Sequence, residues 1–175
     1  MIDIRPILEN EQENFQPKYS PDGEEVAYLE NRTTLKVLNL ETKQARVVLS
    51  GDLNYSYEDG DQWCDWSADG RWFLVNFLNK ERWNQEVGIV DSEGKQQLTN
   101  LTKSGYSNHE PRWMMGGKSM IWFSDRDGLR AASYSGETQM DVYQMFFTQE
   151  TFDRSKLSKA EYEILNLIAI FVGVV

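Results

Sequence analysis

The chain has 175 residues, 40% of them hydrophobic, 13% aromatic and 26% charged, with a formal net charge of −10 and an isoelectric point near 4.6. That composition supports a packed core and excludes disorder throughout. The negative field excludes a phosphate backbone as partner, and no apolar run approaches the ~20 residues of a membrane helix, so neither nucleic-acid binding nor a membrane span is expected.

Taken in order, residues 2–8 read as an extended segment that fits no unit of its own. Residues 1–14 are polar and hold no apolar stretch of the kind a secretory leader needs. From residue 13 a unit repeats. Tyr19, Trp66 and Trp113 recur at intervals of 47 residues, and so do Gly23, Gly70 and Gly117. A period in the forties belongs to propeller blades or helical repeats. The local pattern favours blades. Short apolar runs follow each glycine, at 26–29, 72–75 and 119–123, and are strands by length and composition. Further strands are expected at 35–40, 87–90 and 142–147, then at 45–49 and 96–98, with short inner strands at 15–19, 62–66 and 110–113. About four strands per repeat is the content of one propeller blade.

The turn at Ser20, Pro21, Asp22 and Gly23 has a mechanical basis. Pro21 presets φ, Asp22 bonds local backbone, and Gly23 accepts positive φ. Asp69 and Gly70 repeat the logic without proline, and Gly116 and Gly117 keep only the glycine. The expected fold is all-β: a partial β-propeller of about three four-stranded antiparallel blades at 13–50, 61–100 and 108–158. Residues 159–175 form a short helix and an apolar tail, the helix opening at a capping box of Ser158 and Glu161. By its offset from the first blade, the segment 2–8 is expected to be the outermost strand of a preceding, absent blade, and so to need a partner.

The chemistry-bearing residues are few. His109 is the only histidine, in the loop before the third inner strand. A pair with Ser107 would need a third orienting group and an oxyanion site, and no nucleophile elbow occurs. Glu58, Asp59, Gly60 and Asp61, with Asp65, have the composition of a calcium loop without the EF-hand spacing, so a solvated loop is the simpler reading. Cys64 is the single cysteine, which excludes an internal disulfide and a thiolate zinc site. Asp125, Arg126, Asp127 and Gly128 read as a turn. Trp83 sits in a polar loop with Arg82 and Asn84; it is either a contact residue or a ring folded over its own blade. Tyr57 sits in a similar loop. No phosphate loop, dinucleotide fingerprint or metal-binding helix is present, so neither a metal nor another cofactor is expected.

The aromatic-Ser-Pro-Asp-Gly pattern, the Gln96, Gln97, Leu98, Thr99 stretch and the exit at Phe123 to Gly128 resemble TolB-type propeller repeats. Residues 141–150 and 152–159 are similar, more narrowly, to the propeller region of bacterial tricorn-protease homologues. The resemblance implies a non-catalytic scaffold that binds a peptide or protein, with Tyr57, Asp61, Trp83, Asn84, His109 and Arg126 as binding candidates by loop position. Its alternative is the accessory part of a serine peptidase whose catalytic domain is absent here. A periplasmic or exported setting is implied too. Three blades do not close a ring, so self-association through open blade edges is expected, with a truncated ring as its cause.

Overall fold

The computed structural model describes residues 4–57, 60–130 and 138–172. They form three antiparallel sheets in sequence order. The first holds β1 (Asn14–Tyr19), β2 (Glu25–Glu30), β3 (Thr34–Asn39) and β4 (Ala45–Leu49). The second holds β5 (Cys64–Trp66), β6 (Trp72–Asn79), β7 (Asn84–Asp91) and β8 (Thr99–Asn100). The third holds β9 (Asn108–Met114), β10 (Ser119–Ser124) and β11 (Asp141–Phe146). Within each sheet, strands pair in chain order from the inner strand outward, as in successive blades of a partial β-propeller.

The turns that start each blade form as their residues dictate. Ser20 Oγ donates to Asp22 Oδ1 at 2.6 Å, and the Gly23 amide donates to Ser20 O at 3.0 Å with Gly23 at φ 77°. Ser67, Asp69 and Gly70 repeat those bonds at 2.6 and 2.9 Å, with Gly70 at φ 70°.

The core lies between sheets, and β6 shows how. Its alternate residues serve two interfaces, which is why its apolar run is continuous. Phe73 and Val75 face the first sheet and pack with Ala27, Leu35 and Val37. Leu74 faces the third sheet and packs with Val87, Met120 and Trp122. Burying a side chain such as Phe73 contributes about 1.5–3 kcal/mol.

Four expectations change. The strand at 96–98 is displaced to Thr99–Asn100. The reason is Asp91, whose carboxylate accepts from the amides of Lys95 (3.1 Å) and Gln96 (2.6 Å) and so holds them out of the ladder. Residues 4–8 form no strand, since Pro6 has no N–H to offer; Ile7 and Leu8 lie beside Val26, Tyr28 and Leu38 on the outer face of the first sheet. Ile2 and Asp3 fall outside the described residues. Among the described residues the third blade shows three strands, and β11 is followed by α1 (Gln149–Ser155), capped where Thr148 Oγ1 accepts from the Thr151 amide at 3.2 Å. The C-terminal helix starts at Lys159 as its capping box specifies, and α2 (Lys159–Val172) extends into the segment read as an apolar tail.

Candidate functional site

Adjacent sheets are tied at the inner strands by bonds that span one repeat. Trp66 Nε1 donates to Lys18 O at 3.4 Å, and Trp113 Nε1 donates to Asp65 O at 3.0 Å. Lys18 Nζ donates to Cys64 O at 3.1 Å and pairs with Asp65 Oδ1 at 2.8 Å. Asp65 Oδ2 also accepts from the Trp113 amide at 3.1 Å, so it clasps both neighbours. Its carboxylate is therefore spoken for, which leaves the calcium reading of Asp65 without support. Cys64 is a packing residue: burial pushes its thiol up to about 11, away from nucleophilic character.

Between the second and third sheets lies a polar cluster. Glu86 and Asn108 are both fully buried. The Glu86 carboxylate accepts from the Ser104 amide at 2.9 Å, from Asn108 Nδ2 at 3.3 Å and from the Thr102 hydroxyl. Asn108 Oδ1 in turn accepts from Trp122 Nε1 at 3.0 Å. Asn76 Nδ2 donates to Asn108 O at 2.7 Å, and Asn76 Oδ1 accepts from the Glu110 amide at 3.0 Å. This network fixes the start of β9, where His109 sits.

A cavity of about 530 Å³ opens at the head of the inner strands, lined by residues including Asp61, Trp63, Asn76, His109, Glu110 and Phe123. Backbone geometry is unusual at Glu110 in its wall and at Gln16, the equivalent position of the first sheet: they hold φ of 49° and 51° at strand irregularities. Positive φ in a residue other than glycine turns the inner strand and re-aims its side chain.

The six candidates fall into three pairs. Asp61 and His109 line the cavity together. Tyr57 and Trp83 both pack on Tyr55, with ring centroids 4.6 and 5.8 Å away, and remain 63% and 53% exposed. Trp83 therefore stands as part of an aromatic shelf rather than folding over its blade. Asn84 and Arg126 both meet Tyr106: Asn84 Nδ2 donates to its carbonyl at 2.7 Å, and the Arg126 guanidinium lies 5.5 Å from its ring.

His109 lies within β9, not in the preceding loop. Its ring makes no hydrogen bond to Ser107 or Ser124. Burial pushes its pKa below the ordinary 6.5, opposed by Asp125 and Glu110. Asp125 Oδ1 is taken by the Ser107 amide at 2.9 Å, so no serine–histidine–carboxylate relay is assembled. Asp61 is held by Ser56 Oγ at 2.9 Å and the Tyr57 amide at 2.5 Å. Glu58 and Asp59 lie outside the described residues, and among those described no cluster of three or more candidate metal ligands occurs.

Trp63, Glu110 and Phe123 escaped the sequence reading. For Trp63 and Glu110 the signal was present: Gln16, Trp63 and Glu110 are spaced by the same 47 residues as the turn glycines, three positions before each repeat aromatic.

No family model matches the chain, and no curated protein matches it. Solved structures do. TolB from Acinetobacter baumannii superposes with a TM-score of 0.54 at 22% identity, over 82% of this chain and 32% of that one. A TolB from Agrobacterium tumefaciens gives 0.55 at 18%, over 78% of this chain and 46% of that one. The tricorn protease gives 0.58 at 17%, over 86% of this chain and 16% of that one. The chain thus spans less than half the length of these structures. At such identities the likeness shows the fold, a partial β-propeller of the TolB and tricorn kind.

Proposed function

We propose that this chain is a non-catalytic propeller segment whose loop rim binds an extended peptide or protein segment. The observation that carries this reading is the pairing of the cavity with the exposed shelf of Tyr55, Tyr57 and Trp83. Rigid, half-exposed aromatics offer large contact area at low entropic cost. The cavity's mixed lining of Trp63, Phe123, Asp61 and Glu110 suits a backbone with alternating side chains. The test is a peptide-library selection on the intact chain, followed by calorimetry on the selected peptides. Binding that weakens about tenfold in Trp83→Ala supports the reading. Selected peptides whose affinity ignores Trp83, Tyr57 and Phe123 would refute it.

A second reading is favoured by the likeness to the tricorn protease: the chain would be the accessory propeller of a serine peptidase, presenting peptides to a catalytic domain carried elsewhere. Under it, the same rim binds peptide, and peptide turnover needs the added domain.

A further inference from the structure

The two junctions between the described sheets differ beside the turns that start each blade. At the first, Arg46 of β4 reaches across. Its guanidinium donates to both carboxylate oxygens of Glu25 at 2.6 and 2.7 Å, and its Nε donates to Ser92 O of the second blade at 3.0 Å. The two side chains are only 26% and 20% exposed. An arginine thus fills the gap there, held between an acid on one sheet and a main-chain carbonyl on the next.

The second junction keeps the place and loses the arginine. Val37 pairs with Arg46 as Ile89 pairs with Thr99, so Thr99 holds the Arg46 position. Trp72 holds the position of Glu25, each standing one residue before the strand partner of its repeat aromatic. Thr99 is exposed, and its side chain is too short to span the gap. The carbonyl is retained: the Phe147 amide donates to Lys118 O at 3.1 Å as the Ser92 amide donates to Arg71 O at 2.9 Å, which makes Phe147 O the counterpart of Ser92 O. A cavity of about 460 Å³ lies at this junction, lined by Trp72, Ile89, Trp113 and Phe147, with Asp69 and Arg71 among its other residues. Its mouth is wider than the equivalent gap in the first junction. There Pro21 Cδ stands 3.8 Å from the place of a Cβ on Gly70, whereas nothing comes within 4 Å of one on Gly116 or Gly117.

We propose that this cavity is a binding site for an arginine side chain presented by a partner polypeptide, which takes the place that Arg46 fills in the first junction. The exchange of Glu25 for Trp72 replaces a carboxylate with an indole, and Trp113 and Phe147 add two more rings. Guanidinium is weakly hydrated and stacks on aromatic faces, so it suits such walls better than the compact, strongly hydrated ammonium of lysine. Phe147 O offers the acceptor that Ser92 O gives to Arg46. Arg71 does not oppose an incoming cation strongly, because Asp69 already pairs with it at 2.7 Å. The net charge of −10 draws basic segments towards the chain. The cavity sits at the Trp72 end of β6, while the cavity at His109 lies towards Asn76, so this site stands independently of the peptide-binding rim.

The test titrates a capped Gly-Gly-Arg-Gly-Gly peptide into the intact chain carrying isotope-labelled tryptophan, and follows the indole signals of Trp72 and Trp113 by NMR. The expected result is a saturable shift at both, with affinity about tenfold weaker for the same peptide carrying citrulline, the neutral isostere of arginine. Thr99→Arg, which fills the cavity from within, should weaken binding of the arginine peptide by about tenfold or more, as should Trp72→Leu, whereas Trp83→Ala should leave it unchanged. The citrulline comparison and Thr99→Arg decide the question even where Trp72→Leu does not fold. Equal affinity for the citrulline peptide would overturn the proposal. So would binding indifferent to Thr99→Arg, or the absence of a saturable shift at Trp72 and Trp113. Binding lost in Trp83→Ala would move the site to the rim and overturn it too.

Discussion

Trp113 donates its indole N–H to the main-chain carbonyl of Asp65 at 3.0 Å while its amide donates to the Asp65 carboxylate at 3.1 Å. One residue of the second blade thus holds the third blade at two atoms, and Lys18 of the first blade holds the same carboxylate. Replacing Asp65 with alanine removes one partly exposed ion pair and one hydrogen bond to a charged acceptor. The expected loss is about 2 kcal/mol in urea unfolding, with Trp113→Phe costing about 1 kcal/mol.

Glu86 is a buried carboxylate stabilised by neutral donors. Glu86→Ala leaves the buried Ser104 amide without its acceptor and removes the acceptor of the Thr102 hydroxyl, while Asn108 Nδ2 keeps Ser104 Oγ and Tyr106 O, and should cost about 3 kcal/mol. Glu86→Gln keeps the shape and acceptor oxygen and should cost about half as much. Thermal unfolding of the pair measures both.

Gly94 holds φ 67°, and a Cβ there would meet Val47 O at 2.2 Å. The loop after β7 therefore lies directly against β4 of the preceding blade. Gly94→Ala should destabilise by about 2 kcal/mol or more, through both strain and the displaced backbone. A chemical-denaturation midpoint unchanged from the parent would contradict this contact.

Two groups set opposite edges of the acid response. Asp69 is held down to about 2 by Ser67 and Arg71, against an ordinary 3.8. Its folded form binds protons less than its unfolded form, so its stabilisation is present above about pH 3.8 and is lost as pH falls towards 2. His109 is also depressed, by burial, below 6.5. Protons then favour the unfolded chain, so stability declines as pH falls below about 6.5. His109→Gln should flatten the stability profile below about pH 6.5, and Asp69→Asn should flatten it below about pH 4.

The blades were legible because their determinants are local and repeated. Ser20, Asp22 and Gly23 specify a turn by their own hydrogen bonds, and the interval to Ser67, Asp69 and Gly70 gives the count. The strand after β7 was misplaced because Asp91 captures two amides, a choice that hydrophobic pattern does not record. Helix α1 was missed because its signals are Thr148 at the cap and Arg154 in the last turn, with little apolar periodicity. The site was half legible. Loop position placed Tyr57 and Trp83 where both rings are exposed beside Tyr55, whereas His109 lies on β9 and not in the loop expected for it. The cavity wall at Trp63 and Glu110 depends on how three inner strands converge, and that is a property of neighbours 47 residues away.

The spacing of the junction bonds has a kinetic meaning. Lys18 to Asp65, Trp66 to Lys18 and Trp113 to Asp65 each close a loop of 47 or 48 residues. Every junction therefore carries nearly the same closure entropy, about 3–4 kcal/mol for a flexible loop of that length. Hairpins inside a blade form in microseconds, well before such distant contacts. A ribosome releasing this chain emits one blade at a time, and each new blade finds its docking surface already folded behind it. The repeat length acts as the step of a ratchet: assembly proceeds blade by blade, with no contact described at these junctions waiting for a segment more than about one repeat away.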